Sequence, residues 1–258
     1  MTSKAASEAS EPAPQGPRER TPGATRERVL LVNVLVVAVC ALIYELLCGT
    51  LASYLLGDAV LQFSLVLGTY LFAMGVGAWA SKHLEARAAS RYVQTELALA
   101  LVGGLSVPML LAAVAAHLPL RPALHAVVFV VGALVGVELP LLVKILREPA
   151  TDPPAGAESH AAGVGPRSFG NLVARAFAYD YVGALAASLL FPLLLVPRLG
   201  LVRTSVLTGL VNAIAALSAT FVLRVERQGL LRAAFVLIVA VLALTFVRGA
   251  AWVAAATD

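Results

Sequence analysis

The sequence predicts an all-α polytopic membrane protein, a bundle of seven transmembrane helices. Three observations carry that prediction. Of 258 residues, 60% are apolar and only 13% charged, against roughly 45–50% and about 25% in soluble domains. Mean hydropathy is +0.87, and the apolar residues gather into seven stretches near the ~20 residues a helix needs to cross ~30 Å of hydrocarbon. Fifteen of the nineteen Lys and Arg fall on one side when the connections are assigned alternately. Such a chain has too few polar residues to coat a water-soluble globule, and far too much apolar content to be disordered throughout.

Residues 1–28 are rich in Ser, Pro, Glu and Arg without apolar periodicity and read as a disordered cytoplasmic tail. Residues 29–258 read as the transmembrane domain. The first span, Val29–Leu55, follows Arg26 and Arg28 as a signal peptide would, but its apolar run is about 25 residues where a signal core has about 7–15. It is therefore read as retained. The next spans are Val60–Ser81, Val93–Ala116 and Pro122–Leu146, then Leu172–Val196, Leu201–Leu223 and Ala233–Val253. Short connections holding Gly, Pro or charge separate them, such as Gly57-Asp58 and Pro197 to Gly200. The longer stretch 147–170 carries Pro149, Pro153, Pro154, Gly156 and Pro166 and reads as a flexible aqueous loop.

The positive-inside rule then orients the chain. The tail and the second, fourth and sixth connections hold the fifteen cationic residues, so the N-terminus is cytoplasmic and an odd number of spans puts the C-terminus outside. The net charge of +4 is read as topology, not as nucleic-acid binding. Cys40 and Cys48 share one apolar stretch and read as small buried hydrophobes rather than a disulfide framework.

Within hydrocarbon the informative residues are polar, because a charge at mid-bilayer costs at least about 2.5–3.5 kcal/mol. Three acids are placed inside spans: Glu45 in the outer half, and Glu138 and Asp180 in the inner half. One reading gives them a cavity for a cation or a proton. The other leaves each neutral or bonded to a neighbouring helix, ordering the bundle. Glu138 lies two residues before Pro140, whose missing N–H frees the carbonyl of residue 136. Transporters often build ion sites from an acid beside such a loosened turn. Tyr179 and Tyr181 flank Asp180, while Arg175 stands too far round the helix to pair with it. Gly132 and Gly136 form a G-x-x-x-G, and Gly68, Gly75, Gly77, Gly183 and Ala187 extend a small-residue pattern suited to close helix packing. Arg203 is read as a snorkelling residue at a membrane surface. His83, His117, His125 and His160 show no metal-ligand spacing, so no metal is expected. No P-loop, G-x-G-x-x-G, H-E-x-x-H or nucleophile elbow occurs, so no cofactor and no catalytic residue is assigned.

Several blocks resemble the bacterial membrane-bound spermidine synthase-like proteins, the polyamine aminopropyltransferase family. They are the run from Cys40 through Tyr44, Glu45 and Cys48 to Asp58, with Gln62-Phe-Ser-Leu behind it; Phe72-Ala-Met-Gly-Val-Gly77; Gly132-Ala-Leu-Val-Gly-Val-Glu-Leu-Pro-Leu-Leu142; and Tyr179-Asp-Tyr-Val-Gly183 through Pro192 to Leu199-Gly-Leu-Val-Arg203. The resemblance runs from about residue 29 to the end. It implies a membrane domain of about seven helices, which in the family precedes a soluble Rossmann-like domain moving an aminopropyl group from decarboxylated S-adenosylmethionine to putrescine. That domain's glycine-rich loop and catalytic aspartate have no counterpart position in these 258 residues. The resemblance carries over only the membrane-domain positions Tyr44, Glu45, Asp58, Glu138, Asp180 and Arg203.

The expectation is thus a membrane domain in the bacterial inner membrane that binds or scaffolds in polyamine metabolism. Its expected partners are the bilayer, a polyamine and a separate soluble synthase subunit. Glu45, Glu138 and Asp180, with Tyr44 and Tyr179, form the candidate set for a ligand or proton. Two alternatives stand beside this: a secondary transporter of polyamines or other cations, and one part of an aminopropyltransferase whose catalytic domain lies on another segment. A cytosolic synthase domain after the last span would want the C-terminus inside, which conflicts with the charge count.

Overall fold

A computed structural model describes residues 22–147, 166–223 and 225–257, and every regular element among them is helical. In chain order these are α1 (Pro22–Leu56), α2 (Ala59–Ala80), α3 (Ala88–Gly104), α4 (Ser106–Ala115), α5 (Leu120–Arg147), α6 (Pro166–Leu190), α7 (Val196–Val222) and α8 (Gln228–Thr257). The expected tail, up to residue 21, and most of the expected loop, 148–165, lie outside the described residues. Helix α1 begins at Pro22 rather than Val29, and Glu27 on its first turns forms an ion pair with Arg175 of α6. Five continuous helical stretches are long and apolar enough to cross a membrane, or six with α3 and α4 taken as one bent span.

The breaks have local causes. The expected single span Val93–Ala116 bends by 41° between α3 and α4. Gly103 and Gly104 stiffen the backbone least, and the ring of Pro108 collides with the carbonyl four residues back, at Gly104. Between α6 and α7, Phe191–Leu195 winds as a π-turn containing Pro192, and the chain leaves helical geometry at Gly200 (φ 73°, ψ 172°). The connection expected over Pro197 to Gly200 is therefore a break at one glycine, where only a residue without Cβ adopts that backbone easily. At the α1–α2 turn, Asp58 caps α2, accepting the Leu61 N–H at 3.1 Å.

Three helix pairs approach closely, and glycine permits each. A Cβ on Gly77 of α2 would lie 2.0 Å from the Ala133 carbonyl oxygen, and one on Gly136 of α5 would lie 2.1 Å from that of Met74. Gly183 on α6 meets the Leu35 carbonyl of α1, and Gly209 on α7 meets Ala100 and Gly104 of α3. The pairing of Gly132 with Tyr70 and of Gly136 with Met74 makes α2 and α5 parallel. Gly68 and Gly75 depart from the expected packing role, since nothing lies within 4 Å of a Cβ at either. They sit on the outward face of α2 among exposed Leu71, Phe72 and Trp79.

The outer surface is strongly apolar. Val60, Phe72 and Trp79 of α2, Tyr181 of α6, Phe221 of α7 and Val247 of α8 are each at least 64% exposed. Polar residues gather inside: Thr204, Ser205, Thr208 and Asn212 of α7 are all at most 4% exposed. The Ser205 and Thr208 hydroxyls donate to the carbonyls of Val202 and Thr204 at 2.9 and 2.8 Å, which satisfies them within the helix. Cys40 and Cys48 are buried free thiols, as their apolar setting suggests.

Gly136→Ala is expected to cost about 1–3 kcal/mol, the usual range for overpacking, while Gly75→Ala costs nothing measurable. Thermal unfolding of the two variants in detergent reads the difference.

Candidate functional site

The polar centre of the bundle lies where α3, α5 and α7 meet. Glu96 on α3 is 1% exposed and Glu138 on α5 is 8% exposed. Their carboxyl groups lie close enough to interact electrostatically, as does the Tyr92 hydroxyl, one turn before Glu96. From α7, the Asn212 amide nitrogen donates to the Glu96 backbone carbonyl at 2.9 Å and to its Oε2 at 3.0 Å. Both amide protons thus go to one residue. The contacts pair Asn212 with Glu96 and Gly209 with Ala100 and Gly104, so α3 and α7 run antiparallel.

The cluster is not closed. Among the described residues, Tyr92 OH, Glu96 Oε1 and Asn212 Oδ1 have no donor or acceptor meeting full hydrogen-bond geometry, although each is enclosed by protein. A carboxylate only accepts. Two carboxyls that face each other therefore need a proton or a small cation between them, and like charges so close cannot both persist in a low-dielectric interior. Tyr92 and Asn212 each retain one free group to orient whatever sits there.

The predicted residues are distributed around this centre unevenly. Glu138 belongs to it. Asp180, half-buried on α6, lies within electrostatic range of Glu138. Glu45 is half-buried on α1 and stands beside Cys48 and Tyr70 rather than in the pair. Tyr44 is fully buried with its ring against Gly103, and its hydroxyl has no hydrogen-bond partner among the described residues. Tyr179 is half-buried against an apolar cluster drawn from α1, α3, α5, α7 and α8, whereas Tyr181 is 69% exposed and stacks on Phe177. Arg203 is half-buried over the Phe246 ring of α8, with 5.8 Å from guanidinium carbon to ring centroid.

Counting three acids within the spans omits the one most deeply buried. Glu96 lies four residues into the stretch read as the third span, next to Gln94 and Arg91, and so resembles a surface residue in sequence. Helix α3 starts at Ala88, and this earlier start carries Glu96 more than two turns inward. Asn212 offered a signal of its own, as the sole carboxamide in the stretch Leu201–Leu223. A carboxamide inside an apolar span needs a polar partner on another helix.

No protein-family model matches the chain, and no solved structure matches it. Curated proteins do. The chain is 41% identical over 222 residues to a polyamine aminopropyltransferase of Leptospira interrogans, covering 85% of this chain and 41% of that protein. It is 45% identical over 200 residues to polyamine aminopropyltransferase 2 of Ralstonia nicotianae, covering 77% and 36%. It is 40% identical over 224 residues to polyamine aminopropyltransferase 1 of Streptomyces coelicolor, covering 85% and 39%. The chain spans about two fifths of the length of these relatives.

A double-mutant cycle tests the α3–α7 clasp. Glu96→Ala and Asn212→Ala should couple by about 0.6–2 kcal/mol, the range for interhelical hydrogen bonds in membranes. Glu45→Ala and Asn212→Ala should add independently, to within about 0.5 kcal/mol. Unfolding in detergent or bicelles measures both cycles.

Proposed function

We propose that the chain is the membrane-spanning part of a polyamine aminopropyltransferase, holding at the bilayer a catalytic domain supplied by another segment or subunit. The observation that carries this reading is the 40–45% identity over roughly four fifths of the chain to proteins of that name. Aminopropyl transfer requires a soluble domain for its nucleoside donor, and the seven expected spans leave no comparable domain in these residues.

Seven crossings fit the helix directions. The five long apolar stretches become six with α3–α4 as one span, and seven when the run 170–222 is divided at Gly200. Parallel α2 and α5 require a crossing between them, which α3–α4 supplies. Antiparallel α3 and α7 support reading α6 and α7 as separate crossings. With the cation-rich connections cytoplasmic, the N-terminus lies on the cytoplasmic side of the inner membrane. A catalytic domain attached behind the last span would then face outward, whereas a separate subunit would meet the cytoplasmic connections. In this reading the Glu96–Glu138 pair holds a proton and fixes the bundle, and Glu45 and Asp180 are half-buried acids facing the membrane interior.

Deleting the gene in its native host should abolish aminopropyl transfer to putrescine in the membrane pellet. Unchanged pellet activity together with unchanged cellular spermidine would overturn the proposal.

A further inference from the structure

A polar pocket of about 200 Å³ lies at the ends of three helices, between the start of α3 and the α7–α8 connection. Arg87, Arg91 and Arg227 line it, with Ser90, Gln94 and Glu226. Three guanidinium groups face one carboxylate, so the pocket carries an excess of positive charge. Glu226 is committed to Arg87 at 3.2 Å, and Arg91 donates to Gln94 Oε1 at 3.1 Å. Arg227 holds a left-handed backbone (φ 55°) and has no ion-pair or hydrogen-bond partner for its side chain among the described residues. Ser90 is 6% exposed, and its oxygen accepts the Glu226 N–H at 2.8 Å. Its own proton has no acceptor among the described residues and is open to a ligand in the pocket.

The neighbours place this pocket at the depth of lipid headgroups. Lys82 lies over the exposed Trp79 ring at 4.1 Å, and Arg232 over the exposed Phe221 ring at 5.3 Å. Aromatic rings paired with cations that flank an apolar belt mark a membrane–water boundary. An arginine pocket there, on the cation-rich side, is built for phosphate oxygens, which planar guanidinium groups bind with two parallel hydrogen bonds.

We infer that the Arg87–Arg91–Arg227 pocket binds a phosphate group, that of an anionic lipid headgroup. The inference does not depend on the aminopropyltransferase reading, because it concerns only the bundle and its boundary. Arg91 and Arg227 grip the phosphate, the Ser90 hydroxyl donates to it, and Arg87 keeps Glu226 from repelling it.

The whole chain, purified in a zwitterionic detergent, is titrated in native mass spectrometry with phosphatidylglycerol, with phosphatidylcholine and with inorganic phosphate. Wild type should bind phosphatidylglycerol saturably and in preference to phosphatidylcholine. The Arg91→Gln/Arg227→Asn variant should bind it roughly tenfold or more weakly, given the contribution of each cation near a headgroup. Asn is chosen at 227 because it accepts left-handed backbone. Arg121→Gln, beside the opposite connection, should leave binding unchanged, and thermal unfolding confirms that each variant is folded. Equal phosphatidylglycerol affinity in wild type and the double variant, or no preference over phosphatidylcholine, would overturn the inference. Variant-sensitive binding of inorganic phosphate without lipid binding would also overturn the lipid as the source.

Discussion

The rest of the bundle depends on a clasp between two helices. Asn212 directs both protons of its amide at Glu96, one to the backbone carbonyl and one to the carboxylate. This grip requires α3 and α7 to lie almost backbone to backbone. Gly104 and Gly209 allow that approach; a Cβ on Gly209 would sit 2.7 Å from the Ala100 carbonyl oxygen. Polar bond and glycine contact thus support one another. Without the glycines the amide would not reach, and without the amide Glu96 would be a buried acid lacking its donor, at a cost of about 1–3 kcal/mol.

The α2–α5 contact bears on the same centre from another side. Gly136 lies two residues before Glu138, and its fit against Met74 sets the depth and rotation of α5. The carboxyl of Glu138 is thereby aimed at Glu96 while α2 covers the helix behind it. Were the apolar outer faces to meet hydrocarbon, as expected of such helices, burying more apolar surface would gain the bundle little. Its specificity must come from close packing and from polar groups that have only one satisfactory arrangement. The three glycine contacts and the Glu96–Glu138–Asn212 cluster supply these two elements.

Much of this was legible in the residues and some was not, for definable reasons. The long apolar stretches fix helix positions because hydropathy averages over about twenty residues and tolerates local detail. Gly132 and Gly136 stand out by their four-residue spacing, and Glu138 because acidic residues are rare in such stretches. Glu96 does not, because its depth depends on where α3 begins, and the flanking Arg91 and Gln94 blur that start. Gly75 and Gly77 are indistinguishable by composition, yet Gly75 faces outward and Gly77 touches Ala133. Two residues along a helix turn a side chain by roughly 200° at 3.6 residues per turn, and a single sequence does not state which face has a neighbour. The bend at Leu105 was written in Gly103-Gly104 and Pro108, but a hydropathy window passes over it.

Helix α3 joins the buried centre to the arginine pocket. Arg87 immediately precedes the helix, Ser90 and Arg91 lie on its first turn, and Tyr92 and Glu96 follow. Ser90 accepts the Glu226 N–H, which pins the α7–α8 connection to the start of α3. Arg87 reinforces the attachment through Glu226, and Lys144 at the end of α5 reaches Glu85 at 3.0 Å just before α3. Exposed ion pairs of this kind contribute little individually. The buried serine bond is different, since it is sheltered and fixes the rotation of α3 only six residues before Glu96. A charged group seated among the three arginines would therefore act on the same helix, close to the same rotation, that brings Glu96 to Asn212 and Glu138.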